Sequence, residues 1–239
     1  MQVVTNQRFI TSRRRLGRLA TFGGFACLLG GLAISWLNVD YILIAYATLL
    51  PGFFLITYGK NNTIRWGVKP RVDEVLANAL KSHDSKYQLF NYVEGLPADN
   101  LMLTPQGIVV FELKPLLGDF VNEGSKWRRK RSALGLLLAL GEGSLGNPTQ
   151  DALRAKANVE QYLMDQLGAE QAAQVPVEAF IVFTHPRANV ELQSPTVPVV
   201  HARDLKHTVR REQGRSRMSV STYRRLAQLL RPASSQGSR

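Results

Sequence analysis

Two long uncharged segments stand out near the start of the chain. Leu19 to Leu37 and Tyr41 to Tyr58 contain no charged side chain, and only residues 38–40 separate them. A helix rises about 1.5 Å per residue, so either segment approaches the roughly 30 Å hydrocarbon thickness of a bilayer. Because the connection is so short, the pattern predicts an antiparallel transmembrane helical hairpin over residues 19–58, with spans 19–37 and 41–58.

A cleaved signal peptide is the alternative interpretation of the first segment. Signal peptides end at a small-residue cleavage site. Here a second apolar span begins almost at once instead, which favours the hairpin.

Basic residues flank both ends of the predicted hairpin. Residues 1–18 carry five arginines and no acid, and Lys60, Arg65 and Lys69 follow the second span. Basic residues preferentially remain on the cytoplasmic side of a membrane. We therefore expect a multi-pass protein of the cell membrane whose basic N-terminus (1–18), linker (59–69) and downstream soluble domain all lie in the cytoplasm.

The rest of the chain alternates between helical and strand-like patterns. Apolar residues from Val72 to Leu80 follow the i, i+3, i+4, i+7 stripe of an amphipathic helix. Strand-like runs and two further helical segments come after it, at Tyr87–Val93, Asn100–Thr104, Ile108–Leu113, Thr149–Leu167, Val177–Phe183 and Val220–Leu230. The order helix, three strands, helix, strand predicts an α/β fold, a mixed sheet flanked by helices, over residues 70–207. Residues 208–239 are expected to form a basic C-terminal helix and tail.

The third strand carries the strongest candidate chemistry. Side chains alternate along a strand, so Glu112 and Lys114 project from one face about 7 Å apart. If the preceding hairpin pairs residues summing to about 212, Asp99 lies opposite the region of Leu113. Two carboxylates beside a lysine can bind a hard divalent cation and leave positions for water and phosphate. By spacing alone, a structural Glu–Lys ion pair is the simpler interpretation.

The pattern as a whole resembles the nuclease-related (NERD) domain, a branch of the PD-(D/E)xK nuclease fold. The likeness extends from about Gly67 to Lys206. Its matching stretches are the helix 72–80, residues 87–93, the run Ala98 to Lys114, Gly118, Trp127, the segment 147–150 and residues 181–183.

The resemblance implies a restriction-endonuclease-like αβββαβ core and particular site residues. In that family pattern Asp99 and Glu112 ligate Mg²⁺ or Mn²⁺, Lys114 supports the nucleophile, and Gln150 touches the site. The family also carries an acid on its first helix, where Asp73 is preferred to Glu74 because it lies at the edge of the apolar stripe. Two departures from the pattern are Asn100, in place of histidine, and Pro115, which ends strand pairing beside Lys114.

A basic run supplies candidate nucleic-acid contacts, namely Lys126, Trp127, Arg128, Arg129, Lys130 and Arg131. The cations can grip a phosphate backbone while the indole stacks on a base. A solvated hairpin edge, or contact with anionic lipid headgroups, is the alternative interpretation. A G-x-G-x-x-G match at residues 141–146 lacks the βαβ setting of a dinucleotide site and is interpreted as a loop.

Charge and cysteine content narrow the function classes. A net charge of +12 suggests a polyanionic partner such as nucleic acid. The only cysteine, Cys27, falls inside the first apolar span, which excludes a disulfide framework and a thiolate metal site in the soluble domain. The sequence therefore predicts a membrane-anchored, Mg²⁺-dependent nuclease-like domain acting on DNA or RNA. The alternatives are a non-catalytic module that holds nucleic acid or a protein at the membrane, and a structural partner of another membrane complex.

Overall fold

A computed structural model describes residues 1–37, 42–130, 145–212 and 217–231. The predicted turn at 38–40, Arg131 and most of the glycine motif at 141–146 lie outside these residues. The chain divides into two compact units. Residues 7–71 form a helical unit, and residues 1–6 together with 72–239 form an α/β unit.

The helical unit consists of two helices, α1 (Gln7–Leu37) and α2 (Ile42–Gly67). Gly17 of α1 lies against Gly59 of α2, and Gly31 lies against Ala45, so the two helices run antiparallel. Buried small residues recur at intervals of seven along this interface, at Gly17, Gly24 and Gly31 on α1 and at Ala45, Gly52 and Gly59 on α2. Small residues let helix backbones approach closely, which explains the tight packing.

Large apolar side chains of the helical unit point away from this interface. Phe22 is 72% exposed, Leu29 64% and Phe53 62%. Within the described part of the chain, α1 is the one helix that length and composition qualify to cross a membrane.

The α/β unit contains nine strands in the described residues. They are β1 (Gln2–Thr5), β2 (Gln88–Asn91), β3 (Asn100–Thr104), β4 (Gly107–Lys114), β5 (Gly118–Glu123), β6 (Lys126–Arg129), β7 (Val177–Phe183), β8 (Ala188–Gln193) and β9 (Val199–His201). Its helices are α3 (Val72–Leu80), α4 (Pro148–Leu167), α5 (Ala169–Ala172), α6 (Leu205–Glu212) and α7 (Val220–Leu229).

A six-stranded mixed sheet with the order β1-β2-β3-β4-β7-β9 forms the centre of this unit. The β2-β3-β4 meander is antiparallel, whereas β1 pairs with β2, and β7 with β4 and β9, in parallel. A smaller sheet has the order β6-β5-β8. The elements α3, β2, β3, β4, α4 and β7 confirm the predicted αβββαβ core.

Each face of the large sheet is covered by its own apolar cluster. On one face, Leu101 and Val110 of the sheet pack with Val159 of α4 and Leu226 of α7. On the other face, Val109 and Phe111 pack with α3 and α6. These two clusters are called the α4-side core and the α3-side core below.

The structure changes three predicted boundaries. Residues 2–5 of the predicted basic N-terminus form β1, which occupies the edge of the large sheet. The predicted linker at 59–69 is helical as far as Gly67, because Gly59 and Trp66 are buried within the helical unit. Beyond residue 207 the chain still belongs to the domain, since Val209 and Leu230 are fully buried in the α3-side and α4-side cores.

Close helix packing predicts opposite outcomes for two neighbouring glycines. A Cβ built at Gly24 would lie 2.6 Å from Ile56 Cγ1 and 2.8 Å from the Gly52 carbonyl oxygen, whereas nothing lies within 4 Å of one at Gly23. Gly24→Ala should therefore destabilise the protein by about 1–3 kcal/mol. Gly23→Ala should cause no loss, because it adds a better helix former at an open position.

The measurement is the unfolding midpoint of the full-length protein in mild detergent, with the helical circular dichroism signal as the probe of unfolding. An equal loss of stability in the two variants would contradict a tight α1–α2 interface at Gly24.

Candidate active site

The end of β4 brings together three charged side chains. Lys114 Nζ lies 2.9 Å from Glu112 Oε1 and 2.9 Å from Asp151 Oδ2. The lysine side chain is only 12% exposed, while those of Glu112 and Asp151 are 26% and 40% exposed. The prediction that Glu112 and Lys114 share one face of the strand is confirmed. Both lie on the α4 side, because Val109 and Phe111 of the same strand point into the α3-side core.

Asp151 is the site residue that sequence reasoning missed. It lies in the first turn of α4, which begins at Pro148 after the N-cap Asn147, whose side chain accepts a hydrogen bond from Gln150 N. An acid is favoured in the first turn by the helix dipole. The N-cap pattern at Asn147-Pro148 marks the start of a helix and could have indicated Asp151 as its first-turn acid. The family resemblance indicated Gln150 instead. In the structure Gln150 is exposed beside Asp151.

The β3–β4 register differs by one residue from the predicted one. Leu101 pairs with Val110 and Met102 with Val109, so paired residues sum to 211 rather than 212. The connection at Pro105 and Gln106 is a two-residue turn, since Thr104 pairs directly with Gly107. Asp99 lies immediately before β3, beyond the residues that pair with β4. Asp99 is exposed, and its carbonyl oxygen accepts a hydrogen bond from Tyr92 N at 2.7 Å.

The acid on the first helix lies on the other side of the sheet. Asp73 is 3% exposed, whereas Glu74 is partly exposed, so Asp73 is the inward-facing residue of the two. However, Leu76 of the same helix packs in the α3-side core. Helix α3 therefore packs on the side of the sheet opposite to α4, and a role for Asp73 at the site stays a prediction.

The carboxylate oxygens at the end of β4 are the type of donor that a hard divalent cation prefers. No group of three or more His, Cys, Asp or Glu residues is arranged to hold a metal within the described residues. Mg²⁺ nevertheless binds commonly through one or two carboxylates, with water and substrate phosphates completing its octahedron. Glu112 is one such carboxylate, and the assignment of Glu112 and Asp99 as ligands stays a prediction.

Strand alternation divides the predicted basic run into two sets. Trp127 and Arg129 turn towards the protein: Trp127 Nε1 donates to Thr149 Oγ1 at 2.8 Å, and the Arg129 guanidinium donates to the Leu117 carbonyl at 2.6 Å. Both side chains are partly buried because the inner face of β6 packs against the protein, and their contact with nucleic acid stays a prediction. Lys126, Arg128 and Lys130 are exposed on the outer face, where Arg128 pairs with Glu123 and Lys130 with Glu191.

Trp127 instead connects the small sheet to the start of α4. Its ring centroid lies 5.8 Å from that of Phe183 on β7, and Thr149, which accepts its hydrogen bond, is 1% exposed. Thr149 lies two residues before Asp151. The small sheet thereby supports the turn of α4 that places a carboxylate on Lys114.

His83 is buried, and its Nδ1 lies 2.8 Å from the Leu80 carbonyl oxygen. Burial lowers the pKa of His83, and the positive charges of Arg210 and Lys206 lower it further. The ring is therefore a neutral packing group next to Tyr87, 4.9 Å away between centroids.

An αβββαβ core with a carboxylate–lysine cluster at the end of its third core strand defines a nuclease-like α/β domain. Comparison with protein families agrees: residues 71–184 match the model described as the nuclease-related domain, NERD. The chain therefore contains a NERD domain, which extends from the start of α3 to the end of β7. No curated protein and no solved structure matches the chain.

The Trp127–Thr149 hydrogen bond predicts a measurable coupling between these residues. Trp127→Phe keeps an aromatic ring on Phe183 but leaves the buried Thr149 hydroxyl without its donor, which should cost about 1–3 kcal/mol of unfolding free energy. The measurement is thermal unfolding of Trp127→Phe, Thr149→Val and the double variant. Each single change removes the same Trp127–Thr149 hydrogen bond. The double variant should therefore lose less unfolding free energy than the sum of the two single losses. Strictly additive losses would contradict the coupling.

Proposed function

We propose that this protein is a membrane-anchored, Mg²⁺- or Mn²⁺-dependent nuclease that hydrolyses phosphodiester bonds of DNA or, as the second choice of substrate, RNA. The observation that carries the proposal is the Glu112–Lys114–Asp151 cluster at the end of β4 in a NERD domain. Its donors suit phosphoryl chemistry, because carboxylates bind hard cations and a fixed ammonium stabilises phosphate charge.

Each residue of the cluster has a separate role in this proposal. A divalent cation held by Glu112 and Asp99 would stabilise negative charge on the phosphate and make water more acidic. Lys114 has three N–H donors and faces two carboxylates, which leaves one donor for a phosphate oxygen or the attacking water. Asp151 holds the ammonium in place when Glu112 engages a cation. Gln150, exposed beside it, is available to contact the substrate.

The same geometry supports a second candidate function. Lys114 is already compensated by two carboxylates at 2.9 Å without any cation, as expected of a structural ion-pair cluster. In that case the domain is a non-catalytic module that holds nucleic acid or a protein at the membrane. Metal-dependent cleavage separates the two functions.

Cleavage of a labelled oligonucleotide by the full-length protein in detergent tests the nuclease. The full chain is required because β1 belongs to the central sheet. With Mg²⁺ or Mn²⁺, Glu112→Gln and Lys114→Met should each reduce the rate by about 100-fold or more, as expected for loss of a metal ligand or a charge-stabilising group. Asp151→Asn should reduce it by roughly tenfold, since it acts through Lys114.

Glu191→Gln is the matched control. It removes a carboxylate that pairs with Lys130 on the small sheet, so cleavage should be unchanged. Unfolding midpoints show whether each variant is folded. Undiminished cleavage by folded Glu112→Gln would overturn the mechanism, and salt-sensitive binding without cleavage by the wild type would favour the non-catalytic module.

We infer further that α1 and α2 both cross the membrane and that the α/β unit is cytoplasmic. Three observations support this topology. Both helices expose large apolar side chains, basic residues flank them, and β1, which precedes α1, pairs with β2, which follows α2. A chain that leaves the sheet before α1 and rejoins it after α2 crosses a membrane an even number of times.

Cysteine labelling in intact cells tests this topology. In a Cys27→Ser background, a cysteine replacing Val39 should react with a membrane-impermeant maleimide added outside the cells. A cysteine replacing Gln228, which is exposed on α7, should react only after permeabilisation. Labelling of position 228 in intact cells would overturn the cytoplasmic assignment.

A further inference from the structure

A second candidate site lies at the opposite end of β4 from Glu112. A cavity of about 460 Å³ opens beside the β3–β4 turn at Pro105 and Gln106. Gly107, at the start of β4, is five residues from Glu112, so the two places are separated by about 17 Å along the strand. The cavity therefore belongs to a different part of the α/β unit.

Cations outnumber acids among the residues that line the cavity. Lys86, Arg217 and Arg224 line it, and Asp84 is the one acid among its lining residues. Asp84 already accepts hydrogen bonds from the backbone and hydroxyl of Ser85. Within the described residues none of the three cations forms a salt bridge, although other surface cations such as Arg128 and Lys130 do. The charged residues of the wall, three cations and one acid, thus present net positive charge to a ligand.

Two tyrosines give the cavity an aromatic wall. Tyr223 is held in place because its hydroxyl donates to the Lys86 carbonyl and accepts from Gln88 Nε2 at 3.3 Å. Tyr87 is partly buried, and burial raises the pKa of its phenol, which keeps the ring neutral. A largely apolar cavity with a few fixed polar groups is typical of ligand sites.

The backbone that carries the two arginines is anchored on both sides. Met218 N donates to the Pro105 carbonyl at 2.9 Å, which ties the segment at Arg217 to the β3–β4 turn. Ser219 caps α7 by accepting a hydrogen bond from Thr222 N at 3.1 Å, and Arg224 lies one turn further along this helix. The cations are therefore mounted on fixed structure.

We propose that this cavity binds one nucleotide of a single-stranded nucleic acid. The base lies against the tyrosines, and the neighbouring phosphates lie on Lys86, Arg217 and Arg224. Stacking surfaces combined with cations are the usual means of binding single strands, and a cavity of this size admits one base but not a duplex. Anionic lipid explains the cations but gives the aromatic wall no planar partner. The choice of nucleic acid as ligand rests on the proposed function.

Fluorescence anisotropy of a labelled 12-mer oligothymidylate on the full-length protein in neutral detergent tests this site. EDTA is present, so binding is measured without cleavage and independently of Glu112. Arg217→Gln/Arg224→Gln should weaken binding by about tenfold near 0.1 M salt and reduce the slope of log affinity against log salt by about 1.4, for two lost phosphate contacts.

Arg225→Gln/Arg231→Gln is the matched control. It removes the same charge from the middle of α7 and from just beyond its end, at residues that do not line the cavity, and should change the affinity by no more than about twofold. An abasic strand of equal length tests the stacking. The wild type should bind it several-fold more weakly than the oligothymidylate, and Tyr87→Leu should remove that difference.

Equal losses in the two double variants, equal affinity of the wild type for abasic and normal strands, or no loss in Arg217→Gln/Arg224→Gln would overturn the proposal. It would also be overturned if that variant lost affinity only for anionic phosphatidylglycerol micelles. Failure of the nuclease proposal is distinct, because it appears as absent Mg²⁺-dependent cleavage while EDTA-insensitive binding persists.

Discussion

The Lys114 ammonium between two carboxylates is the interaction on which the candidate site depends. The Lys114 side chain is only 12% exposed, and Glu112 and Asp151 each pair with its ammonium at 2.9 Å. Glu112 comes from the same strand, but Asp151 comes from α4, 37 residues further along the chain. The position of α4 on the sheet therefore decides whether the cluster exists.

Several layers of structure hold the start of α4 in that position. Val159 anchors the helix in the α4-side core, and Asn147 caps its first turn. Trp127 of the small sheet adds a hydrogen bond to the buried Thr149. Trp127, which the sequence predicted as a nucleic-acid contact, thus supports the first turn of α4 in the structure. The cations on the outer face of β6 remain exposed, although two of them already pair with acids.

The helical unit interrupts the chain of the central sheet. The central sheet begins with β1 before α1 and continues with β2 after α2, so the helices form an insertion between two neighbouring strands. Such an insertion connects to the domain through two chain segments rather than one. It also lies outside the residues that match the NERD domain, as do β1, α6 and α7.

Local patterns in the sequence determined the αβββαβ order and the shared face of Glu112 and Lys114. Both follow from the helical period of 3.6 residues and the strand period of two residues. These periods are visible in the sequence without reference to distant contacts. Only the tertiary structure decided the partnership with Asp151, the inward turn of Trp127, the one-residue change in the β3–β4 register, and the pairing of β1 with β2. Each of these depends on which elements meet across long stretches of chain. Tertiary packing determines which elements contact each other, because local propensity hardly distinguishes between the alternatives.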